Sequence, residues 1–321
     1  MPKVSVIIPV YSVEKFLGRC LDSVINQTFK DFEIVCVNDG SPDNSAEILE
    51  QYSKLDERIK IITQINQGLS MARNNGVAAS VGEYICFVDS DDVIHPQCLE
   101  IAVRLAEKHQ AELVSYRLQS VRLGNDAELF KKNIDINSLD IKVTDKPVFL
   151  GTHREKYKID FSACCKLYRR SVLDGIQFIK GITMEDYPHT YAVLAKSPKT
   201  VAVNEAFYFY TINQDSIVHN CGNPKTIRDY HIGINSIYEI YKQPQLRKEL
   251  EFWIKNFIPN ILNQQLARCR HASKEVRPLM YKSFAEELRD LDEKRLLKWS
   301  DHRVMKCWLY IKFNYRGVFN E

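Results

Sequence analysis

The 321-residue sequence has almost no excess of either charge, since 44 basic and 41 acidic side chains leave only +3 at neutral pH. That balance excludes the global basic signature of a nucleic-acid binder. No apolar run approaches the roughly 20 residues that a membrane-crossing helix needs. No secretory leader is expected either. Met1-Pro2-Lys3-Val4 enters a strand candidate at once, and the expectation is a chain that stays in the cytoplasm. The nine cysteines are odd in number, scattered and without a C-x-x-C pair. This excludes a disulfide framework and suits a reducing compartment. Cys36 and Cys86 lie inside apolar runs and read as small core residues, and the adjacent Cys164 and Cys165 read as core-lining thiols. Internal repeats and low-complexity tracts are absent. Neither a G-x-G-x-x-G turn nor a G-x-x-x-x-G-K-[ST] loop follows the first strand candidate, so a nucleotide, if bound, is held by other means.

What is present is a rhythm of strands and helices. Strand candidates run over Lys3–Pro9, Phe32–Val37, Ile59–Thr63, Tyr84–Val88 and Leu113–Tyr116. Between them lie helix candidates at Val13–Gln27, from Ser41-Pro42 to about Leu55, at Leu69–Ala79 and at Pro96–His109. Ser41 reads as a cap, with Pro42 in the first helical position. Such alternation predicts a doubly wound, mostly parallel sheet with helices on both faces. In these sheets ligands sit outside the carboxyl ends of the strands. Three of those ends carry polar residues, at Pro9-Val10-Tyr11, at Asp39 and at Asp89–Asp92. They are expected to converge. Beyond Tyr116 the rhythm stops. Residues 119 to 160 read as long loops or irregular hairpins, Ile159–Tyr168 as a buried segment and Val201–Tyr210 as an aromatic strand, with helix from about Lys225 onward.

The acids after Tyr84–Val88 invite two readings. Three carboxylates, Asp89, Asp91 and Asp92, follow a buried strand within four residues. Unpaired carboxylates resist desolvation, and a hard divalent cation with oxygen ligands would compensate them. The alternative is an acidic loop capping the next helix. Asp39 could accept a hydrogen bond from a base imide or act as a turn residue. Tyr11 could stack on a base or simply pack. Arg73, on the helix after Gly68, could hold a phosphate or make an ordinary surface ion pair.

Taken in order, five motifs point one way. They are Pro9-Val10-Tyr11, Asn38-Asp39-Gly40-Ser41, Asn66-x-Gly68-x-x-x-Ala72-Arg73-Asn74-x-Gly76, Gly82-Glu83-Tyr84 and Asp89-Ser90-Asp91-Asp92. The series resembles the family 2 glycosyltransferases, whose fold is GT-A, and Lys166-Leu167-Tyr168 with Glu185-Asp186-Tyr187 extends the resemblance toward residue 215. The resemblance implies a nucleotide-sugar donor, Mn²⁺ or Mg²⁺, and inversion at the anomeric carbon. Carried over, Pro9, Val10, Tyr11, Asp39, Arg73, Asp89 and Ser90 would bind the donor. Asp39 would face the base, most often uracil, and Asp89 the ribose or the sugar. Asp91 would be the main metal ligand, with His219 a second candidate and a loop histidine its plainer reading. Of Glu185-Asp186 one carboxylate would be the general base, with Asp186 favoured. The resemblance further implies one sugar passed from a UDP-sugar to a hydroxyl of a glycan, such as a lipid-linked oligosaccharide, lipopolysaccharide or capsule precursor. A nucleotidylyltransferase would want a glycine-rich, arginine-ended loop where Val10-Tyr11-Ser12-Val13 stands. A silent nucleotide-binding scaffold would not need both Asp91 and Glu185-Asp186. The missing Gln-x-x-Arg-Trp motif argues against a processive synthase, and Ser12 stands where asparagine is common, a change expected to matter little.

The expected division is a nucleotide half over 1–118, an acceptor half over 119–220 and a helical region over 221–321. Trp253, Phe257, Ile261 and Leu262 recur at helical spacing and read as core. In 298–321, Val304, Cys307, Trp308, Ile311 and Tyr315 can share one face among Lys298, Arg303, Lys306, Lys312 and Arg316. That face could lie on an anionic membrane, giving a peripheral enzyme on the inner surface, or it could pack on the protein or on a second subunit.

Overall fold

The computed structural model describes residues 1–123, 129–145, 159–212 and 223–314. Two compact units emerge, one of Met1–Gly181 with Glu185–Ile212, the other of Ile182–Met184 with Asn213–Glu321.

The first unit is built on a nine-stranded sheet in the order β3-β2-β1-β4-β8-β6-β9-β5, with β7 paired to β9. Its strands are β1 (Val4–Val10), β2 (Phe32–Asn38), β3 (Ile59–Thr63), β4 (Tyr84–Phe87), β5 (Val93–Ile94), β6 (Leu113–Val121), β7 (Ile141–Thr144), β8 (Lys166–Arg169) and β9 (Thr200–Thr211). The helices between them are α1 (Glu14–Ile25), α2 (Ser45–Leu55), α3 (Leu69–Ala79), α4 (Cys98–His109) and α5 (Asp186–Lys196). β3, β2, β1 and β4 are all parallel. Every residue of β1 and β2 is buried, which is why both strands are predominantly apolar, with Ser5 and Glu33 hydrogen-bonded to each other at 2.6 Å. The chain leaves β1 toward β2 and β3, then returns to place β4 on the other side of β1. The order of strands therefore reverses between β1 and β4, the position where open sheets of this kind form a ligand crevice.

After β4 the sheet becomes mixed. β8 runs antiparallel to both β4 and β6, whereas β6 and β9 are parallel with a register irregularity between Ser115 and Leu118. The expected loop region from 119 onward is therefore partly strand, since β6 continues to Val121 and β7 adds an edge on β9. Alternation of exposed and buried residues was weak there because β6 is half covered along its second part. The second helix also starts later than Ser41-Pro42. The Ser41 hydroxyl is spent on the Val10 carbonyl at 3.3 Å, and its amide on Asn38 Oδ1 at 3.0 Å. The Glu14 carboxylate instead takes the Asn44 amide at 3.0 Å, ahead of α2.

Two glycines fit where no side chain could. A Cβ on Gly76 of α3 would lie 2.4 Å from Ile7 Cγ2 of β1, and one on Gly82 would lie 2.6 Å from the Ser5 amide nitrogen. The cysteines are unpaired and buried wherever the structure describes them.

The second unit contains α6 (Pro224–Tyr241), α7 (Arg247–Asn256), α8 (Ile258–His271), α9 (Arg277–Glu293) and α10 (His302–Asn314). Asn223 caps α6 by accepting from the Thr226 amide at 3.1 Å, with Pro224 in the first turn. Trp253, Ile261 and Leu262 are core, as their spacing predicts, together with Phe284, Leu288 and Leu291 of α9. Of the α10 face that spacing offered to a membrane, three residues point into the unit, whereas Trp308 is half-buried. Val304, Cys307 and Ile311 are fully buried, because they fill the interior of this helical unit. Tyr315, Arg316 and the rest of that segment lie outside the described residues.

Candidate active site

The parallel register carries the expected strand ends to one edge of the sheet. Val10 sits opposite Asn38, and Ile7 opposite Phe87, so Tyr11, Asp39 and Asp89 all leave the sheet at the carboxyl side of β1, β2 and β4. Pro9 and Val10 are buried in β1, while Tyr11 is 48% exposed. Ser12 follows in the left-handed region, with φ of 55°.

Asp39 is buried and does structural work. Its carboxylate accepts from Gln64 Nε2 at 2.7 Å and from the amides of Gln67 and Gly68 at 2.8 Å. Asp39 thereby organises the backbone just before α3, where Gly68 takes φ of 85°. The local turn is held by the neighbouring Asn38 instead.

Arg73 is neither a surface ion pair nor an open phosphate ligand. It is only 1% exposed, and three carboxylates surround its guanidinium. Nη2 donates to Asp89 at 2.8 Å, and Nη1 donates to Glu185 at 2.9 Å and to Asp186 at 2.6 Å. The Phe178 ring lies 5.2 Å from the same group. His189 stacks on Phe178 at 3.8 Å. Burial, reinforced by the Arg73 and Lys166 charges, drives the His189 ring down to about 3, so it is a neutral spacer.

Burial and the Asp186 charge push Glu185 up to about 7, against the pull of Arg73. Asp186, the first residue of α5, is also raised, by burial first, while Arg73 opposes the shift. The Asp186 side chain keeps 23% of its surface exposed and Glu185 only 11%. Of the two, Asp186 is the one open to an incoming molecule.

The acids after β4 have separate partners. Asp89 and Asp91 are partly exposed, and Ser90 is buried between them. Asp92 is only 1% exposed. It accepts from the Tyr208 hydroxyl at 2.7 Å and from the Thr211 amide at 2.7 Å. The Tyr208 oxygen in turn accepts from the Asp89 amide at 3.1 Å. Asp92 therefore ties the acidic turn to β9 and is not a helix cap. Tyr208 and Thr211 were not singled out from sequence. The signal was a buried tyrosine in an aromatic strand, whose hydroxyl must find a partner. Lys166, already part of the Lys166-Leu167-Tyr168 motif, is another buried polar residue whose partners the sequence did not reveal. Fully buried, it donates to the Asp160 carbonyl at 2.8 Å and shapes the turn that carries Ala163, whose amide favours ionised Asp186.

His219 falls in 213–222, outside the described residues. Among the described residues no group of three or more His, Cys, Asp or Glu side chains is set to hold a metal. Asp89 and Asp91 do supply hard oxygen donors at the mouth of the crevice, and Mg²⁺-like ions need only one or two carboxylates when phosphates complete the shell.

Residues 5–176, over half of the chain, match the family model described as Glycosyl transferase family 2. The chain belongs to this family. It has curated relatives among glycosyltransferases. It is 38% identical over 220 residues to glycosyltransferase GlyA of Streptococcus pneumoniae serotype 4, covering 67% of this chain and 31% of GlyA. It is 34% identical over 225 residues to the uncharacterized glycosyltransferase EpsJ of Bacillus subtilis, covering 68% of this chain and 63% of EpsJ. The chain thus spans less than two thirds of the length of either relative. Among solved structures, residues 1–349 of S. aureus TarS in complex with UDP-GlcNAc superpose with a TM-score of 0.74 at 20% identity, over 98% of this chain and 91% of that one. That likeness is one of fold, and it makes this family 2 member a GT-A protein with an additional helical region.

Proposed function

We propose that this family 2 protein transfers one hexosyl or N-acetylhexosaminyl unit from a UDP-sugar to a hydroxyl of a glycan acceptor, with inversion. The observation that carries the reading is Arg73, which joins Asp89 at the end of β4 to Glu185-Asp186 at the start of α5. A strand-end acid on the donor side and a carboxylate pair on the acceptor side are thus held by one rigid fork.

The roles follow from exposure and charge. Tyr11 covers the base, and Asp39 holds the loop that frames it. Asp89 contacts the ribose or sugar through the part of its carboxylate that Arg73 leaves accessible. Asp186 is the general base. It is the more open acid of the pair, and Arg73 favours its ionised form, whereas Glu185 near neutrality is partly protonated. A carboxylate within reach of an acceptor hydroxyl takes its proton as the new C–O bond forms. Asp91, with Asp89 beside it, would hold Mn²⁺ or Mg²⁺. What that ion supplies when bound is neutralisation of the charge gathering on the leaving UDP. In keeping with the change from parallel to mixed sheet after β4, residues 1–118 serve the nucleotide and 119–220 the acceptor. The acceptor belongs to the lipid-linked oligosaccharide, lipopolysaccharide or capsule-precursor class. TarS, bound to UDP-GlcNAc on the same fold, supports a uridine donor.

A screen of nucleotide sugars for Mn²⁺-dependent release of the nucleoside diphosphate tests this. Asp186→Asn is expected to lower turnover by about 10²- to 10⁴-fold with UDP affinity kept. Asp91→Ala is expected to weaken UDP binding in Mn²⁺ but not in chelator. No turnover of any donor, with UDP binding indifferent to Asp91→Ala, overturns the proposal.

A further inference from the structure

The helix α10 is apolar on two sides, and only one of them is used inside its unit. Val304, Cys307 and Ile311 are buried. On another side Met305 is 38%, Leu309 39% and Phe313 73% exposed. At about 100° per residue these three sweep an arc of roughly 80°. By the same spacing Lys312 falls just outside one edge of the arc and Lys306 just outside the other, and both are exposed. His302 is exposed on the arc itself. From Lys298 to Asn314 there are four lysines and arginines, and Asp301 is the only acid. Asp301 is already paired with Arg303 at 2.6 Å.

An apolar stripe edged by lysines fits one environment well. The long lysine stems can lie along the apolar surface while their ammonium groups reach toward negative charge. Next to the stripe, Lys312 sits 4.5 Å from the ring of the partly exposed Trp308, which itself packs edge-on against Trp299 at 6.0 Å. Indoles of this kind, apolar with one polar handle, favour the headgroup level of a bilayer. No described helix is long and apolar enough to cross a membrane, so the contact would be a surface one.

We propose that α10 docks this protein onto an anionic lipid surface through Met305, Leu309 and Phe313, with Lys306 and Lys312 contacting the headgroups. This face is not the one its apolar spacing favours, and the inference stands apart from the catalytic reading. A protein partner would not require lysines on both edges of the stripe, and a second copy of this chain would bring like charges together.

The full chain is tested by co-sedimentation with phosphatidylglycerol-rich vesicles and with phosphatidylcholine vesicles. Binding is expected to the first only, and to weaken at high salt. Lys306→Gln and Lys312→Gln are each expected to lower partitioning roughly fivefold. Met305→Ser with Leu309→Ser and Phe313→Ser is expected to abolish it, with the melting temperature measured alongside to show that the variant is folded. If the triple variant folds poorly, the two lysine variants still decide the matter. The proposal is overturned if wild type ignores anionic vesicles, or if the lysine variants bind them as wild type does. It is equally overturned if the substitutions instead dissolve a dimer seen by light scattering, or if only a chain lacking residues 315–321 binds.

Discussion

Arg73 Nη1 lies 2.6 Å from Asp186 Oδ1, although 113 residues separate the two in sequence. Since Nη2 of the same side chain holds Asp89, one buried cation bridges both halves of the site. Removing it leaves three acids close together with no counter-charge. Breaking a buried ion pair on one side costs about 3–5 kcal/mol, and the solvent still reaching Asp89 and Asp186 places this case at the lower end. Arg73→Met is therefore expected to lower stability by about 3 kcal/mol in urea unfolding at pH 7.5. The loss should shrink at pH 5, where Glu185 and Asp186, both already raised by burial, protonate more readily.

Glu185 links stability to pH. Its folded value of about 7 lies above its ordinary 4.5. Between those values the folded chain keeps a proton that the unfolded chain has shed. Stability from this group is thus complete below pH 4.5 and falls away as pH rises toward 7 and beyond. Glu185→Gln removes the buried charge while keeping an acceptor for Arg73. Relative to wild type it should melt higher at pH 8 than at pH 5. Thermal scans at the two values check the sign, and an equal offset at both would contradict it.

Gly82 begins the segment that leads into β4. An added Cβ meets the backbone of Val4 and Ser5 at 2.6–2.7 Å, and backbone cannot swing aside as a flexible side chain can. Gly82→Ala is expected to destabilise by about 1–3 kcal/mol or more. Val81→Ala, at the exposed neighbouring position, should cost far less. Urea midpoints of the two variants make the comparison.

Ser12 occupies left-handed backbone at φ of 55°, a conformation that asparagine tolerates several times more readily than most residues. The departure from asparagine at this position is therefore not neutral. Ser12→Asn should raise stability by some tenths of a kcal/mol, with Ser12→Val strongly worse because branching at Cβ forbids this region. Melting temperatures of the pair give the test.

Much of the first unit was legible in the sequence. β3 and α3 lie at the bounds expected of them, because Ile59, Ile61 and Ile62 give β3 a short β-branched run and Gly68 marks the helix start. Helix α2 was placed too early, since Ser41 looks like a cap in any local window. Only the approach of Val10, about 30 residues earlier in the chain, consumes its hydroxyl. Asp39 and Asp92 were legible as site acids but not in their partners. Three of those partners are backbone amides, of Gln67, Gly68 and Thr211, and a backbone amide leaves no mark in a sequence; the other two, Gln64 and Tyr208, come from segments 25 and 116 residues away.

By itself the sequence determined the family, through five ordered motifs, and the parallel half of the sheet, through the alternation of apolar runs with amphipathic helices. Tertiary structure alone decided which charges meet. The ion pairs of Arg73 span more than a hundred residues on one side, and nothing local prefers Glu185 and Asp186 over other acids. It also decided which side of α10 is inside. Spacing grouped Val304, Cys307 and Ile311 on one face but could not say whether protein or lipid covers it. The choice rests on which side the neighbouring helices can fill without voids.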